Sequence, residues 1–361
     1  MNQSNNPMTR RRVLHLSALG LASAVLAGCG NLLNSFTGNS SRPNSLPGAN
    51  NSSGALPQTP VPGQVMITPN ANFYSVAIGN SGHGTPSDWK LSVGGNVDKP
   101  QAFILDDLRK LPVVEEMRTF ECISNPAGGP LISNAVWRGF KFSDLLDAVG
   151  ARKNSLEVKL ESFDGFYTTI PLELAYDEHA LLAYEMNGEP LPIEHGRPLR
   201  CLWPGRYGMK QPKYLQKITL MTNTSRGYWE SQGWSNDARI QVNSRIDSPE
   251  DNSTFKGDQV DVGGVAFSGR EGVAKVEISF DEGKTWLTTE LTQAQGAVQP
   301  FVWTNWHWSG PIPGAGQYRI RARATDKQGN TQLNLAQNLL GSTYPDGTSD
   351  MHQIIVNFQK A

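Results

Sequence analysis

Along residues 63–235, short runs of alternating apolar and polar positions are cut by Gly and Pro, and stretches of helical period are few. Trp89-Lys90-Leu91-Ser92-Val93 and Leu156 to Leu160 alternate as half-buried strands do, because successive side chains of a strand point to opposite faces. Asp106 to Lys110 reads as a short helix. Lys141 to Val149 places Phe142, Leu145, Leu146 and Val149 on one helical face before Gly150 stops it. The pattern predicts an α+β domain rather than a doubly wound sheet. From 236 to 361 strands stand alone, at Val260 to Phe267, Val273 to Phe280 and Tyr318 to Ala324, with a hairpin tip at Asp281-Glu282-Gly283-Lys284. An all-β, immunoglobulin-like sandwich is predicted there, without a disulfide.

The first 62 residues show neither period. Arg11 and Arg12 stand before an apolar stretch, Val13 to Ala27, that runs into Leu26-Ala27-Gly28-Cys29. Residues 1–29 therefore read as a twin-arginine export signal ending in a lipobox, with Cys29 the lipid-bearing first residue of the mature chain. The stretch is too short and too rich in Ala and Gly for a membrane span. Residues 30–62 are mostly Asn, Ser, Gly and Pro, which cannot bury enough surface to offset chain entropy, so a disordered linker is expected. The expected location is outside the cytoplasm, periplasmic or similar, with the membrane reached only through lipid on Cys29.

A chain of 361 residues has room for two domains after those segments are set aside. Its 32 Lys and Arg balance 33 Asp and Glu with no block of one sign, which argues against a nucleic-acid partner. The three cysteines, Cys29, Cys122 and Cys201, are widely separated and form neither a C-x-x-C finger nor a disulfide framework. No G-x-G-x-x-G follows a strand and no G-x-x-x-x-G-K-[ST] occurs, so neither a nicotinamide nor a nucleoside triphosphate is suggested.

Candidate chemistry gathers at Phe120-Glu121-Cys122-Ile123-Ser124-Asn125, followed by Pro126-Ala127-Gly128-Gly129-Pro130 and by Ile132-Ser133-Asn134-Ala135-Val136-Trp137-Arg138-Gly139. This run resembles the sulfite oxidase family, in which a cysteine ahead of a Gly-rich loop and an N-A-x-W-x-G segment supplies the one protein thiolate to a molybdenum–molybdopterin cofactor. A soft, anionic sulfur suits such a metal, so the resemblance makes Cys122 the metal ligand. His195-Gly196-Arg197-Pro198-Leu199-Arg200 and Pro204 to Leu215 resemble the segments that hold the pterin and its phosphate. By that resemblance His195, Arg200, Lys210, Gln211, Pro212 and Lys213 contact the cofactor, with Arg and Lys suited to phosphate oxygens. Asn72, Tyr74 and Ser75 fall in the family's opening segment against the cofactor. Asp164, before Gly165, reads equally as a pterin contact or as an Asp-Gly turn. Cys201, in an apolar run, reads as core. The second domain resembles the family's dimerisation domain, which implies a homodimer. No C-x-x-C-H haem motif is present, so electrons are expected to pass to or from a separate carrier such as a cytochrome.

Substrate residues depart from the family. Its arginines around the metal fall at Val76, Ala127 and near Leu340, and its tyrosine beside the oxo group falls at Trp234. A pocket so altered suits sulfite poorly, because a desolvated dianion needs opposite charge. Arg206 or Arg118 are the cations that could compensate, and Trp234 and Arg206 join Cys122 as candidate catalytic residues. The expected reaction is two-electron oxygen-atom transfer on a small sulfur or nitrogen oxide. The P-x-x-Y-G-x-K-x-x-K loop also resembles the periplasmic methionine-sulfoxide reductase subunit, and a lipid-tethered scaffold without catalysis is the alternative of another class.

Overall fold

A computed structural model describes residues 65–359 except 80, 81, 83, 297 and 334–342. The export signal, Cys29, the linker and Leu340 lie outside the described residues.

Two sheets build the first domain. One runs Gln101–Phe103, Leu91–Gly95, Leu215–Met221, Glu157–Ser162, Tyr167–Pro171 in spatial order, antiparallel except where Leu91–Gly95 lies parallel to Leu215–Met221. The other is antiparallel throughout and runs Val113–Glu121, Ile132–Lys141, Leu181–Met186, Glu189–Pro190, with Arg200–Leu202 also paired to Leu181–Met186. The helix Phe142–Ala148 turns Phe142, Leu145 and Leu146 into a core shared with Leu160, Leu182, Trp203 and Ile218. Each such side chain contributes about 1.5–3 kcal/mol on burial. Gly150, at φ 65°, then ends the turn in a left-handed conformation that only glycine adopts freely. Cys201 is fully buried and free in this core.

The second domain is a sandwich of two sheets. Asn243–Ser248, Gln259–Phe267, Thr304–Pro311 and Glu290–Thr292 form one, and Ser253–Lys256, His352–Gln359, Gly316–Asp326, Val273–Ser279 and Leu287–Thr288 the other. Val262, Trp306, Ile320 and Val356 fill the space between them.

Two elements differ from the sequence pattern. The strand expected from Trp89 begins at Leu91, because Trp89 is buried at its foot and its Nε1 donates to Leu215 O at 3.1 Å. The helix expected over 106–110 is the single turn Leu105–Leu108, of which only Leu108 is buried. The hairpin tip does turn at Glu282 and Gly283, with φ 64° and 86°.

Candidate functional site

Cys122 follows the last residue of Val113–Glu121 and begins a ten-position excursion that returns at Leu131, where Cys122 N donates to Leu131 O at 3.0 Å. Its Sγ lies 3.1 Å from Ser124 Oγ. Burial pushes the thiol up, and the Ser124 contacts pull it partly back. Across from it stands Tyr74, whose backbone N donates to Ser133 Oγ at 3.2 Å. Gly208 leaves room for this ring, since a Cβ there would come 3.0 Å from Tyr74 Oη. Burial and the neighbouring Cys122 raise the Tyr74 hydroxyl well above its ordinary value, so it remains a proton donor beside the thiol.

A group of cations lies beyond Tyr74. Arg200 is buried, stacks its guanidinium 4.5 Å from the Phe120 ring centroid and 4.9 Å from that of Trp137, and donates through Nη1 to His195 O at 3.0 Å. Lys213 Nζ donates to Ser75 Oγ and Glu194 O, both at 2.9 Å. His195 Nε2 donates to Asn70 O at 3.0 Å, and the imidazole packs edge-on against Phe73. Gly196 is what lets these strands of chain meet, because its φ is 108° and a Cβ would fall 2.9 Å from Lys213 Cβ. No carboxylate bonds to Arg200, Lys213 or His195 among the described residues. The group therefore has no bonded acid, and only the unbonded charges of Asp164 and Glu194 act on it. Burial brings Arg200 down to about 10, Lys213 to about 7 with Arg200 adding to the effect, and His195 to about 4. Arg200 Nε is buried with no hydrogen-bond partner.

This donor set fits a molybdopterin. An anionic phosphate would satisfy the orphaned Arg200 Nε and restore charge to Lys213, and a single thiol would meet the metal. Among the described residues no group of three or more His, Cys, Asp or Glu could hold a metal, which agrees with a cofactor that would bring ligands of its own to a metal beside Cys122.

The remaining sequence candidates separate. Tyr74, Ser75, His195, Arg200 and Lys213 come together. Lys210 does not join them: its ammonium is committed to Glu230 and to Thr169 O at 2.9 Å, in a buried ion pair on the other side of its turn. Arg206 is likewise engaged, with Asp237 Oδ1 at 2.9 Å, so its charge is already paired. Arg118 pairs with Glu116 and donates to His179 O. Gln211 acts as a strut, its Oε1 accepting from Trp203 N and its Nε2 donating to Arg206 O, while Pro212 O accepts from Cys201 N. Asp164 forms the turn, accepting from Phe166 N at 3.0 Å, and its charge also acts on Lys213. Asn72 is exposed and offers only backbone contact; Asn70, two residues earlier, binds Asn187 and His195. Trp234 is half-buried in the apolar group that includes Ile123, next to Cys122, and its ring meets Tyr344 edge-on at 5.2 Å. Sequence reading missed Asn70, Phe73 and Glu121. The last is a buried carboxylate that accepts from Asn125 and Asn243 and is raised to about 7 by burial.

Residues 79–229 match the oxidoreductase molybdopterin binding domain, and residues 235–343 match the Mo-co oxidoreductase dimerisation domain. The uncharacterized oxidoreductase YuiH of Bacillus subtilis is 34% identical over 146 residues, covering 40% of this chain and 72% of that one. This chain belongs to the sulfite oxidase family of molybdopterin oxidoreductases. Mitochondrial sulfite oxidase of Macaca fascicularis, another relative, is 28% identical over 314 residues, 74% of this chain, and the match spans 57% of that protein's length. The solved sulfane dehydrogenase SoxCD of Paracoccus pantotrophus has the same fold, with a TM-score of 0.70 at 20% identity over 82% of this chain and 85% of that one. The family thus accounts for both the α+β first domain and the sandwich that follows.

Proposed function

We propose that this member of the family is a molybdopterin-dependent oxidoreductase that transfers an oxygen atom to or from a neutral or larger sulfur or nitrogen oxide, and that sulfite is a poor substrate. The observation that carries the reading is the pairing of a lone thiol, Cys122, with a buried cation set, Arg200, Lys213 and His195, that has no carboxylate of its own. Bound there, the cofactor would supply two-electron oxygen-atom transfer, with the protein setting its orientation and surroundings. Cys122 would hold the metal as a thiolate, its proton passing to solvent. Tyr74 keeps its proton and can donate to an oxygen near the thiolate. Arg200, Lys213 and His195 would hold the cofactor's anionic end.

The substrate assignment rests on charge. Val76 is 40% exposed and brings no cation, Ala127 brings none, and the nearby guanidinium of Arg245 is held by Asp247. The half-exposed aromatic pair Trp234 and Tyr344 supports an uncharged substrate with some apolar body. We further propose a homodimer through the second domain, a separate electron carrier such as a cytochrome, and a lipid-anchored, exported mature chain beginning at Cys29.

The test is metal analysis of protein made in a host that synthesises the cofactor, followed by steady-state kinetics with an artificial acceptor or donor. About one molybdenum per chain is expected, with Cys122→Ser losing activity by two or more orders of magnitude while still folding. A micromolar Michaelis constant for sulfite with fast turnover would overturn the substrate assignment, because losing one charge-assisted contact to a desolvated anion costs about 2–5 kcal/mol. Background molybdenum would overturn the whole reading.

A further inference from the structure

The loop that carries Cys122 is braced from inside by a few bonds. Asn125 N donates to Cys122 O at 2.9 Å, Leu131 N to Asn125 Oδ1 at 2.9 Å, and Gly129 N to Pro126 O at 2.8 Å. Its two ends meet the second domain. At the first end, the Glu121 carboxylate accepts from Asn125 Nδ2 at 3.0 Å and from Asn243 Nδ2 at 2.9 Å. At the far end, Arg245 Nη1 donates to Gly129 O at 3.2 Å, and the His352 ring lies flush on Gly128. Gly128 is at φ 72°, and a Cβ there would fall 2.0 Å from His352 Cδ2, so nothing but glycine allows this approach.

The three second-domain side chains are themselves fixed. Asn243 and Arg245 lie on the strand Asn243–Ser248, and His352 begins the strand His352–Gln359 of the other sheet. His352 Nδ1 accepts from Ile246 N at 2.9 Å, which ties the two strands together at the contact. Arg245 is buried and aimed by Asp247, whose carboxylate takes two of its nitrogens. A rigid sandwich therefore grips the residue before Cys122 and the turn six and seven residues after it.

We propose that Asn243, Arg245 and His352 are positioning residues for Cys122: the sandwich, beyond any role in joining two copies of the chain, clamps the loop so that Sγ stands in one place before any metal arrives. Preorganised ligands of this kind depend on the residues that hold them as much as on the ligand itself. The clamp acts on the loop through the Glu121 carboxylate, Gly129 O and the face of Gly128, and through none of Tyr74, His195, Arg200 or Lys213. It does not depend on which substrate the family member takes, nor on metal being bound.

The experiment follows the Cys122 thiol in full-length protein prepared without cofactor, using an aromatic disulfide reagent and peptide-resolved mass spectrometry to separate it from the buried Cys201. Asn243→Ala and His352→Ala should each speed modification of Cys122 by about tenfold or more, with circular dichroism unchanged, because the loop then samples open states. Arg245→Met should do the same where it folds. Ile320→Val, a sandwich-core change that removes none of these contacts, should lower the melting temperature and leave the thiol rate at the wild-type value. In cofactor-loaded protein, the molybdenum(V) paramagnetic resonance signal of Asn243→Ala should broaden as the thiolate geometry spreads. Wild-type thiol rates in Asn243→Ala and His352→Ala, or an equal rise in Ile320→Val, would overturn the proposal.

Discussion

The segment from Pro204 to Tyr214 carries three basic side chains that look alike in sequence and end in opposite electrostatic states. On one side, Lys210 and Arg206 each hold a carboxylate, Glu230 and Asp237, and Thr168 Oγ1 donates to the same Glu230 oxygen at 2.7 Å. On the other, Lys213 joins Arg200 and His195 with only hydroxyl and carbonyl oxygens as partners. The turn Gly208–Lys210 separates them by sending Lys210 to one face and Gly208 to the other, against Tyr74. Buried cations with acids nearby are part of the scaffold. Buried cations with no acid bonded to them, as Lys213 is with only the unbonded charges of Asp164 and Glu194 acting on it, are held in a costly state that a bound anion relieves.

The largest consequence falls on the paired side. Lys210→Met leaves the Glu230 carboxylate buried without its cation, and removing one partner of a buried pair costs about 3–5 kcal/mol. Urea unfolding of Lys210→Met should show a loss of that size, and the double variant Lys210→Met with Glu230→Gln should recover most of it. Molybdenum retained per folded chain should stay within about twofold of wild type. A loss of cofactor without a loss of stability would move Lys210 into the binding site and erase the contrast.

Lys213→Met should show the reverse. The unfolded chain keeps Lys213 charged near neutrality, whereas burial in the folded, cofactor-free protein brings it down to about 7, so its ammonium weighs against folding. Cofactor-free Lys213→Met should thus melt no lower than wild type at pH 6. Its affinity for the cofactor should fall by about 10- to 150-fold, since a hydrogen bond to a charged partner is worth about 1.5–3 kcal/mol. Competition for limiting cofactor between wild type and variant would measure it.

How much of this was legible in the sequence depends on the range of the interaction. The helix over Phe142–Ala148 was readable because four apolar positions and a glycine stop lie within ten residues of one another. The one-turn helix at Leu105–Leu108 was overextended because its acidic residues suit a helix start but face solvent and bury nothing. Cys122, His195, Arg200 and Lys213 were named through local motifs, and the structure brings the last three together. The division of Lys210 from Lys213 was not, because it depends on Glu230, twenty residues on and carrying no motif. Asn70 was passed over for Asn72 because the turn Asn70–Asn72 decides which of two similar side chains faces inward, and spacing alone does not. The clamp on the Cys122 loop was illegible for the same reason in stronger form: Asn243 and Glu121 meet across 122 positions of chain.

The smallest effect is the most direct probe of the comparison, because it counts a proton. In the cofactor-free protein Lys213 has its pKa lowered from 10.5 to about 7, chiefly by burial, then by Arg200. The sign is that of a depressed group: relative to the unfolded chain its contribution favours folding fully above 10.5, shrinks as pH falls, and is gone below about 7. At pH 8.5 the folded protein therefore holds Lys213 mostly neutral. A phosphate placed beside it favours the ammonium and raises that pKa again, so binding must draw in a proton. Titration calorimetry of cofactor into cofactor-free protein at pH 8.5, in buffers of differing ionisation heat, should report a proton balance that differs between wild type and Lys213→Met by about one proton, the release from Cys122 being common to both, and the difference should fall towards zero at pH 6, where Lys213 is already charged. The Lys213→Met protein should take up correspondingly less at pH 8.5. Lys210, with its charge already matched by Glu230, should contribute nothing to the difference, so Lys210→Met should keep the wild-type uptake wherever it remains folded. Equal uptake by wild type and Lys213→Met would mean that the unpaired side of the segment is not where the anion binds.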